Sequence, residues 1–184
     1  MPADPSPLDP ATALWAPWRL SYLEALEDEP ADAAPSPSFL AAYWATPEHD
    51  DRNHVVVRST LGMVLLNKYP YANGHLLVAL GEGRPRLLDY DADHRAELWR
   101  LVELAADLME RTLEPQGVNI GVNQGRAAGA GVPGHLHVHL VPRWGGDVNF
   151  MTAVGRVRVI GASLEQMHER YKAAWRAHPG FARG

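Results

Sequence analysis

The sequence predicts an α+β fold: a single antiparallel sheet of about five strands, with a long helix and a C-terminal helix packed on it. Two observations predict this class. Short apolar or β-branched runs bounded by turn residues occur between residues 54 and 80 and again between 118 and 141. Between these two groups, apolar residues recur at helical spacings of three and four. With 184 residues, 46% of them apolar, the chain is long enough to form the core of one ordinary domain.

The first three strands follow one another without an intervening helix. Residues His54–Arg58 and Leu61–Asn67 are apolar or β-branched runs separated by Ser59-Thr60, which predicts a hairpin. A third run, Gly74–Leu80, follows the turn-forming segment Tyr69-Pro70-Tyr71-Ala72-Asn73. We therefore predict three antiparallel strands before residue 81.

A long helix is predicted from Asp91 or Asp93 to about Glu114. Acidic residues occupy its first turn, and Pro115 follows its end. Two further strands are then predicted at Val118–Asn123 and His135–Val141.

The predicted C-terminal part contains a last strand and a last helix. The strand is expected at Arg156–Ile160. The helix is expected to start at Ser163, because Ser163 and Gln166 have the spacing of a capping box.

Proline divides the chain into two regions. Eight of the fifteen prolines lie in the first 37 residues, so we predict a proline-rich arm with short helices over residues 1–45 and a main domain over residues 46–184. The N-terminus lacks the positive start and apolar middle of a secretion signal, and no run reaches the roughly 18 to 20 apolar residues that span a bilayer. These features predict a cytoplasmic protein without a membrane partner.

Composition excludes several kinds of chemistry. The chain has no cysteine, so disulfides, thiolate zinc sites, iron–sulfur clusters and a cysteine nucleophile are excluded. Its net charge of −5 has the wrong sign for non-specific binding to a nucleic-acid backbone. A small anionic ligand in a local pocket remains compatible with this charge.

Histidine carries the main functional signal. In the segment His135-Leu136-His137-Val138-His139-Leu140-Val141, strand alternation puts three histidines on one face and the aliphatic residues on the other. A metal site and an imidazole-rich surface without chemistry are alternatives, but three histidines on one strand do not converge easily on a tetrahedral centre. A catalytic strand is therefore favoured, with one imidazole as nucleophile and the others orienting it and protonating a leaving group.

This arrangement suits phosphoryl chemistry. A neutral imidazole can attack phosphorus through one nitrogen when an acceptor at the other nitrogen sets its tautomer. The loop from Gly125 to Gly134 is rich in glycine, whose positive φ angles let successive backbone N–H groups surround an anion. Together these features predict a phosphate site.

The histidine segment resembles the His-φ-His-φ-His-φ-φ pattern of the histidine-triad superfamily, where φ is an apolar residue. Four further segments, in the same order as in that superfamily, extend the resemblance over about residues 54–150: Asn67-Lys68-Tyr69-Pro70, Gly74-His75-Leu76-Leu77-Val78, Asn123-Gln124-Gly125 and Pro142-Arg143-Trp144-Gly145-Gly146-Asp147. The last of these resembles the fragile-histidine-triad branch, which cleaves dinucleoside polyphosphates. Together with Leu14-Trp15-Ala16-Pro17-Trp18-Arg19 it also resembles bacterial members described as diadenosine tetraphosphate phosphorylases or hydrolases.

The resemblance implies a role for each matching histidine. His137 would attack the α-phosphate to form a covalent nucleotidyl-histidine, oriented by a main-chain carbonyl near His135. His139 would lie against the phosphate and the bridging oxygens. His75 would close the site from the neighbouring strand.

The resemblance also implies the substrate contacts. Asn67 would contact the ribose, while Leu65 and Val64 would border the base. The phosphate side would be lined by Asn123 and the glycine loop, of which we single out Gly125, Gly129 and Gly131.

Several alternatives stay open at this point. The acceptor is water or phosphate, and the activity is alternatively that of a nucleoside phosphoramidate or mononucleotide hydrolase, or the chain is a non-catalytic nucleotide-binding module. We expect a homodimer, no metal in the histidine chemistry and magnesium only as a companion of a polyphosphate substrate.

Two departures from the family pattern limit the transfer. No Cys-x-x-Cys pair is present, which excludes the structural zinc site of many relatives. Residues Gly131-Val132-Pro133-Gly134 stand where relatives often have Gln, Ser or Thr, so backbone amides would have to bind the phosphate there.

Overall fold

The computed structural model describes residues 38–147 and 160–179. The described residues fall within one compact unit, and residues 38–45, predicted as part of the N-terminal arm, are among them. The rest of the predicted arm and all but the last residue of the predicted strand Arg156–Ile160 lie outside the described residues.

Five strands form one antiparallel sheet in the order β1-β2-β3-β5-β4. Their bounds are Val55–Arg58 (β1), Gly62–Leu66 (β2), Leu76–Leu80 (β3), Gly117–Val122 (β4) and His137–Arg143 (β5). The predicted five-stranded antiparallel sheet and the first hairpin are therefore confirmed. The long connection through a helix lets β5 pair with β3, which brings the histidine strand to the middle of the sheet.

In the part of the chain that the structure describes, three α-helices accompany the sheet: α1 (Phe39–Ala45), α2 (Ala92–Leu113) and α3 (Leu164–Arg176). The predicted N-terminus of α2 is confirmed, since the Asp91 carboxylate caps it by accepting from the N–H of His94. Its C-cap, Glu114, has a left-handed conformation at φ 47°. The predicted capping box of Ser163 and Gln166 starts α3. Among residues 38–147 and 160–179, no helix is long and apolar enough to cross a membrane.

One face of the sheet is buried under α2 and α3. Its cluster takes residues from all layers, including Val64, Val78, Leu101, Leu108, Leu136, Val138, Leu140, Met167 and Tyr171. The aliphatic positions of the histidine segment therefore lie in this core, as strand alternation predicts.

The opposite face carries a second, smaller cluster under α1. It consists of Leu40, Val55, Met63, Leu65, Leu77 and Ala79, with Tyr43 and Trp44 packed against it. Arg58 holds the C-terminal end of α1, where its guanidinium donates to the carbonyls of Tyr43 and Trp44 at 3.0 Å. This face is thus only partly covered by a helix.

Two strands begin two residues later than the sequence predicts. The strand expected from Gly74 begins at Leu76, because Gly74 adopts a φ of +83° and the N–H of His75 bonds the Ala72 carbonyl in a turn. The strand expected from His135 begins at His137, because the N–H of His135 bonds Val132 in a turn. Both differences place a histidine just before a strand.

Candidate active site

The strand register brings two histidines to the face that α1 partly covers. His137 lies opposite Ala79, and His139 lies opposite Leu77. Directly opposed residues of antiparallel strands share a face, and both alanine and leucine here belong to the α1 cluster. The imidazoles therefore adjoin this small apolar cluster.

His137 has the tautomer that a nucleophile requires. Its Nδ1 lies 2.9 Å from the carbonyl oxygen of His135, and a carbonyl can only accept, so Nδ1 carries the hydrogen. Nε2 of the neutral ring then keeps its lone pair. The main-chain carbonyl contact that the resemblance implies is present, while the role of His137 stays a prediction.

His75 and His139 form a directed hydrogen-bonded pair. The backbone N–H of Tyr71 donates to Nδ1 of His75 at 3.1 Å, so the hydrogen of this ring lies on Nε2. That Nε2–H donates to Nδ1 of His139 at 3.0 Å. In its neutral form His139 therefore carries its own hydrogen on Nε2, where it can serve an oxygen of a ligand.

Tyr71 covers this pair of rings. Its ring centroid lies 4.8 Å from that of His75 and 5.8 Å from that of His139, nearly parallel to the latter at 20°. The His137 and His139 rings meet edge to face at 4.8 Å. Sequence reasoning treated Tyr71 only as a turn residue and missed this contact, for which its place in the turn before His75 was the only signal.

Burial lowers the pKa of both His137 and His139. For the pKa of His137, the hydrogen bond to the His135 carbonyl opposes this shift. Burial, and to a smaller extent His137, lowers the pKa of His139 to about 4. Near neutral pH His139 of the free protein is thus a neutral hydrogen-bond donor, and its predicted role at the leaving group stays a prediction.

His135 does not belong to the open part of this face. The ring is fully buried, with Nε2 donating to the Leu80 carbonyl at 2.7 Å and Nδ1 lying 2.9 Å from the Ser38 hydroxyl. The predicted face of three histidines is therefore narrowed to His137 and His139, and the roles assigned to the histidines stay predictions. Two imidazoles face the site and the third is enclosed, because the chain turns at His135 before the strand begins.

Asn67 is engaged by the turn that it precedes. Its side-chain oxygen accepts from the N–H of Tyr69 at 2.9 Å, and its amide nitrogen lies 3.3 Å from Nδ1 of His75. The expected ribose contact has the second hydrogen of this amide group and the second lone pair of its oxygen available, and it stays a prediction. The structure adds a role in holding His75.

Backbone groups of the glycine loop make internal hydrogen bonds that the sequence does not predict. Gly125 and Gly129 do adopt positive φ angles of 85° and 82°. The N–H of Gly129, however, bonds the Arg126 carbonyl at 2.8 Å, and its carbonyl accepts from Asn123 at 3.4 Å. Gly129 thus closes a 3-10 turn instead of presenting its amide to an anion, whereas Gly131 lies beyond this turn in open space.

Leu65 and Val64 do not jointly border a base. Leu65 is only 1% exposed beneath α1, and Val64 is buried in the core on the other face. Neighbouring residues of a strand point to opposite faces, so one of the pair had to be excluded.

A cavity of about 520 Å³ lies beside α1 instead. Its lining comes from α1, the segment after it, the end of β2 and the start of α3: Phe39, Ala42, Tyr43, Thr46, His49, Arg52, Asn53, His54, Leu66, Lys68, Leu164 and Glu165. One lining residue, Lys68, directly follows Asn67 in the chain. Asn67 in turn contacts His75. Among residues 38–147 and 160–179, no group of three or more His, Asp and Glu side chains is arranged to hold a metal ion.

Comparison with known proteins gives consistent similarities. A sequence profile of the HIT domain matches residues 48–146. AP-4-A phosphorylase of Mycobacterium tuberculosis (strain H37Rv) is 35% identical over 174 residues, covering 93% of this chain and 88% of that protein. Bis(5'-nucleosyl)-tetraphosphatase [asymmetrical] of Schizosaccharomyces pombe is 33% identical over 91 residues, covering 50% of each chain.

Solved structures agree with this result. The crystal structure of a histidine triad nucleotide-binding protein from Sulfolobus tokodaii has a TM-score of 0.59 and 25% sequence identity. The match covers 72% of this chain and 90% of that one.

Proposed function

This chain belongs to the HIT domain family, and we propose that it cleaves the phosphoanhydride of dinucleoside polyphosphates through a covalent nucleotidyl-histidine on His137. The observation that carries the proposal is the pair of fixed tautomers. The His137 Nδ1–H bonds a carbonyl, so Nε2 has a lone pair for attack. Next to it His139 is set to donate from Nε2.

In the first step, Nε2 of His137 attacks the α-phosphorus. A phosphorus–nitrogen bond forms, the bond to the bridging oxygen breaks, and its electron pair leaves on the nucleoside polyphosphate. Neutral His139 would stabilise this oxygen with a hydrogen bond, and the negative charge of the bound substrate raises the pKa of His139 toward protonation. The positive charge that develops on His137 is stabilised by the carbonyl of His135.

In the second step, an oxygen of the acceptor attacks the same phosphorus and the phosphorus–nitrogen bond breaks. We propose inorganic phosphate as the acceptor, which yields a nucleoside diphosphate. Support comes from the similarity to an AP-4-A phosphorylase over 93% of the chain, compared with 50% for the tetraphosphatase. Water gives a nucleoside monophosphate by the same route.

The cavity beside α1 is our candidate for the nucleoside. Its volume of about 520 Å³ is within the range of small-molecule sites, roughly 300 to 1,000 Å³. Phe39 and Tyr43 offer aromatic surface for a base, and the second amide hydrogen of Asn67 would reach the ribose between cavity and histidines. This assignment replaces Leu65 as the base contact.

We also propose that the protein is a homodimer joined at the outer edge of β4. Among the described strands β4 lies at the end of the sheet, and its side chains are largely exposed. Ile120 points toward the core face, opposite Leu140, yet is 48% exposed. A second copy would cover this apolar residue and pair the open edge. Light scattering should give twice the monomer mass for the wild-type chain and the monomer mass for Ile120→Lys.

The central test measures products with and without phosphate. Diadenosine tri-, tetra- and pentaphosphate and an AMP-lysine-type amidate are incubated with the protein, and nucleotides are separated by chromatography. We expect a nucleoside diphosphate only when phosphate is present. Without phosphate, we expect a burst of about one product per protein, which leaves a nucleotidyl group on His137. Cleavage of the amidate alone would instead support a phosphoramidate hydrolase.

The matched variant is His137→Asn, with His94→Asn as the control. His94 lies on α2, bonded to its N-cap Asp91 and outside the site. We expect His137→Asn to lose turnover by roughly 10³-fold or more, and His94→Asn to keep it. Turnover by His137→Asn close to the wild-type rate would refute the proposed intermediate.

A further inference from the structure

We infer that Ser38, the N-cap of α1, is a positioning residue for the nucleophile and acts through His135. This inference rests on the proposed function, because it concerns the residue that holds His137 in place. Within the described residues, the Ser38 side chain makes no hydrogen bond to His137 or His139. Its hydroxyl reaches instead the ring of His135, 97 residues away in the chain.

The donors and acceptors around the His135 ring permit only one neutral tautomer. Nε2 lies 2.7 Å from the Leu80 carbonyl, which must accept, so Nε2 carries the hydrogen. Nδ1 is then an acceptor, and the Ser38 hydroxyl at 2.9 Å donates to it. The same hydroxyl oxygen accepts from the N–H of Ala41 at 3.4 Å, so its donor and acceptor capacities are both used.

The enclosure of this ring makes the hydroxyl difficult to replace. His135 is fully buried, so bulk water does not reach its Nδ1. On another side Gly83 packs against the ring, and a Cβ there would lie only 2.8 Å from Nδ1. Without the hydroxyl, Nδ1 would be a buried acceptor without a partner, which is costly and favours movement of the ring.

Movement of this ring would reach the nucleophile through the backbone. The carbonyl of the same residue, His135, accepts the Nδ1–H of His137. Two sets of hydrogen bonds thus fix His135. Ser38 and Leu80 bond its ring, and His137 bonds its carbonyl oxygen. Ser38 therefore helps to set the direction of the His137 lone pair.

Capping alone does not account for this serine. The other end of α1 is already held by Arg58, which bonds the carbonyls of Tyr43 and Trp44 and lies over the Trp44 ring at 4.7 Å. Any good cap could start a helix of seven residues. At this position the residue must also donate to an imidazole, which an Asp carboxylate or a Gly N-cap cannot do through a side chain.

The test compares Ser38→Gly with Ser38→Thr in the full chain. Glycine is nearly as good an N-cap as serine, but it has no hydroxyl, whereas threonine keeps one. We expect Ser38→Gly to lower kcat by roughly five- to tenfold at unchanged KM, and Ser38→Thr to stay within about twofold of wild type. Circular dichroism and thermal melting check that each variant folds.

A spectroscopic measurement separates positioning from stability. In protein labelled with ¹⁵N-histidine, the Nδ1 resonance of His135 should move in Ser38→Gly toward that of a nitrogen that accepts no hydrogen bond, and return in Ser38→Thr. An unchanged resonance in Ser38→Gly overturns the inference, as does an unchanged kcat when the resonance has moved. If the wild-type chain cleaves no dinucleoside polyphosphate, the proposed function fails, and the resonance still tests the Ser38 contact.

A second variant perturbs the hydrogen bond between Ser38 and His135 from another side of the His135 ring. Gly83→Ala would push the His135 ring while leaving Ser38 and α1 intact. We expect the same loss of kcat and the same displaced resonance, even if Ser38→Gly fails to fold. Wild-type kcat in a folded Gly83→Ala protein with a displaced His135 resonance would overturn the inference.

Discussion

The two faces of the sheet are built from the same strands but differ in the contacts that hold their side chains. The face under α2 and α3 is a continuous apolar core that includes Leu136, Val138 and Leu140. The face under α1 combines a small apolar cluster with His137 and His139. On the first face, contacts are non-directional and depend on volume. On the second, each imidazole is fixed by a hydrogen bond of defined direction.

This difference shows how one strand can separate stability from chemistry. Strand alternation sends neighbouring residues of β5 to opposite faces. A change on the apolar face should therefore alter the free energy of unfolding, and a change on the histidine face should alter turnover. Each prediction below tests that separation.

The largest effect is expected from Leu140→Ala. Leu140 is fully buried in the main core, so removal of its side chain should lower the free energy of unfolding by about 2–5 kcal/mol. Urea denaturation measures this change. Well below the melting temperature, kcat should remain near the wild-type value, and a loss of kcat comparable to that of a site variant would contradict the separation of the two faces.

Next comes His139→Asn, one residue earlier on the opposite face. Loss of its Nε2–H donor should lower kcat by about 10²-fold, a typical contribution of a positioned acid or donor. The free energy of unfolding, again from urea denaturation, should change by less than about 1 kcal/mol. The opposite pattern, a large loss of stability with retained turnover, would assign His139 to structure.

A smaller effect is expected where α1 docks. A Cβ at position 81 would overlap the ring of Trp44, so Gly81→Ala should displace α1 and cost about 1–3 kcal/mol of stability. Thermal melting and tryptophan fluorescence measure this displacement. Gly161→Ala is the matched control, because a Cβ there meets nothing within 4 Å. Equal melting temperatures for the two variants would show that α1 tolerates the change.

The smallest effect is a displacement of the pH profile. His137 must be neutral to attack, and burial lowers its pKa below the ordinary value of about 6.5. As pH falls through this lowered pKa, Nε2 takes up a proton and loses its lone pair, so kcat/KM decreases on the acid side. Because kcat/KM reports the free protein, its acid limb should lie below pH 6.5, about the ordinary histidine value. A limb at or above that value would show that burial does not govern this histidine.

Local sequence patterns predicted most of the secondary structure. Apolar or β-branched runs predicted the strands of the first hairpin. Helical spacing with acidic residues in the first turn predicted α2, and the capping box of Ser163 and Gln166 predicted the start of α3. These signals act between residues at most four positions apart, so they are visible in the sequence. The resemblance to histidine-triad proteins then supplied His75 as a partner of the histidine strand, 64 residues from His139.

The errors came from contacts that no local pattern records. Leu65 was predicted to border a base, but α1 covers it. Gly129 was predicted to offer its amide to phosphate, but that amide closes a turn with Arg126. Both residues have the right type for the predicted role, and their neighbours in space decide otherwise.

The sequence by itself therefore determined which residues within a strand share a face, because the geometry of a strand follows from its own backbone. Only the tertiary structure decided which imidazole is enclosed and which nitrogen of each ring carries the hydrogen. Those properties depend on partners distant in the chain, such as Ser38 and Leu80 for His135. A tautomer follows from the donors and acceptors around a ring, and folding alone brings these together.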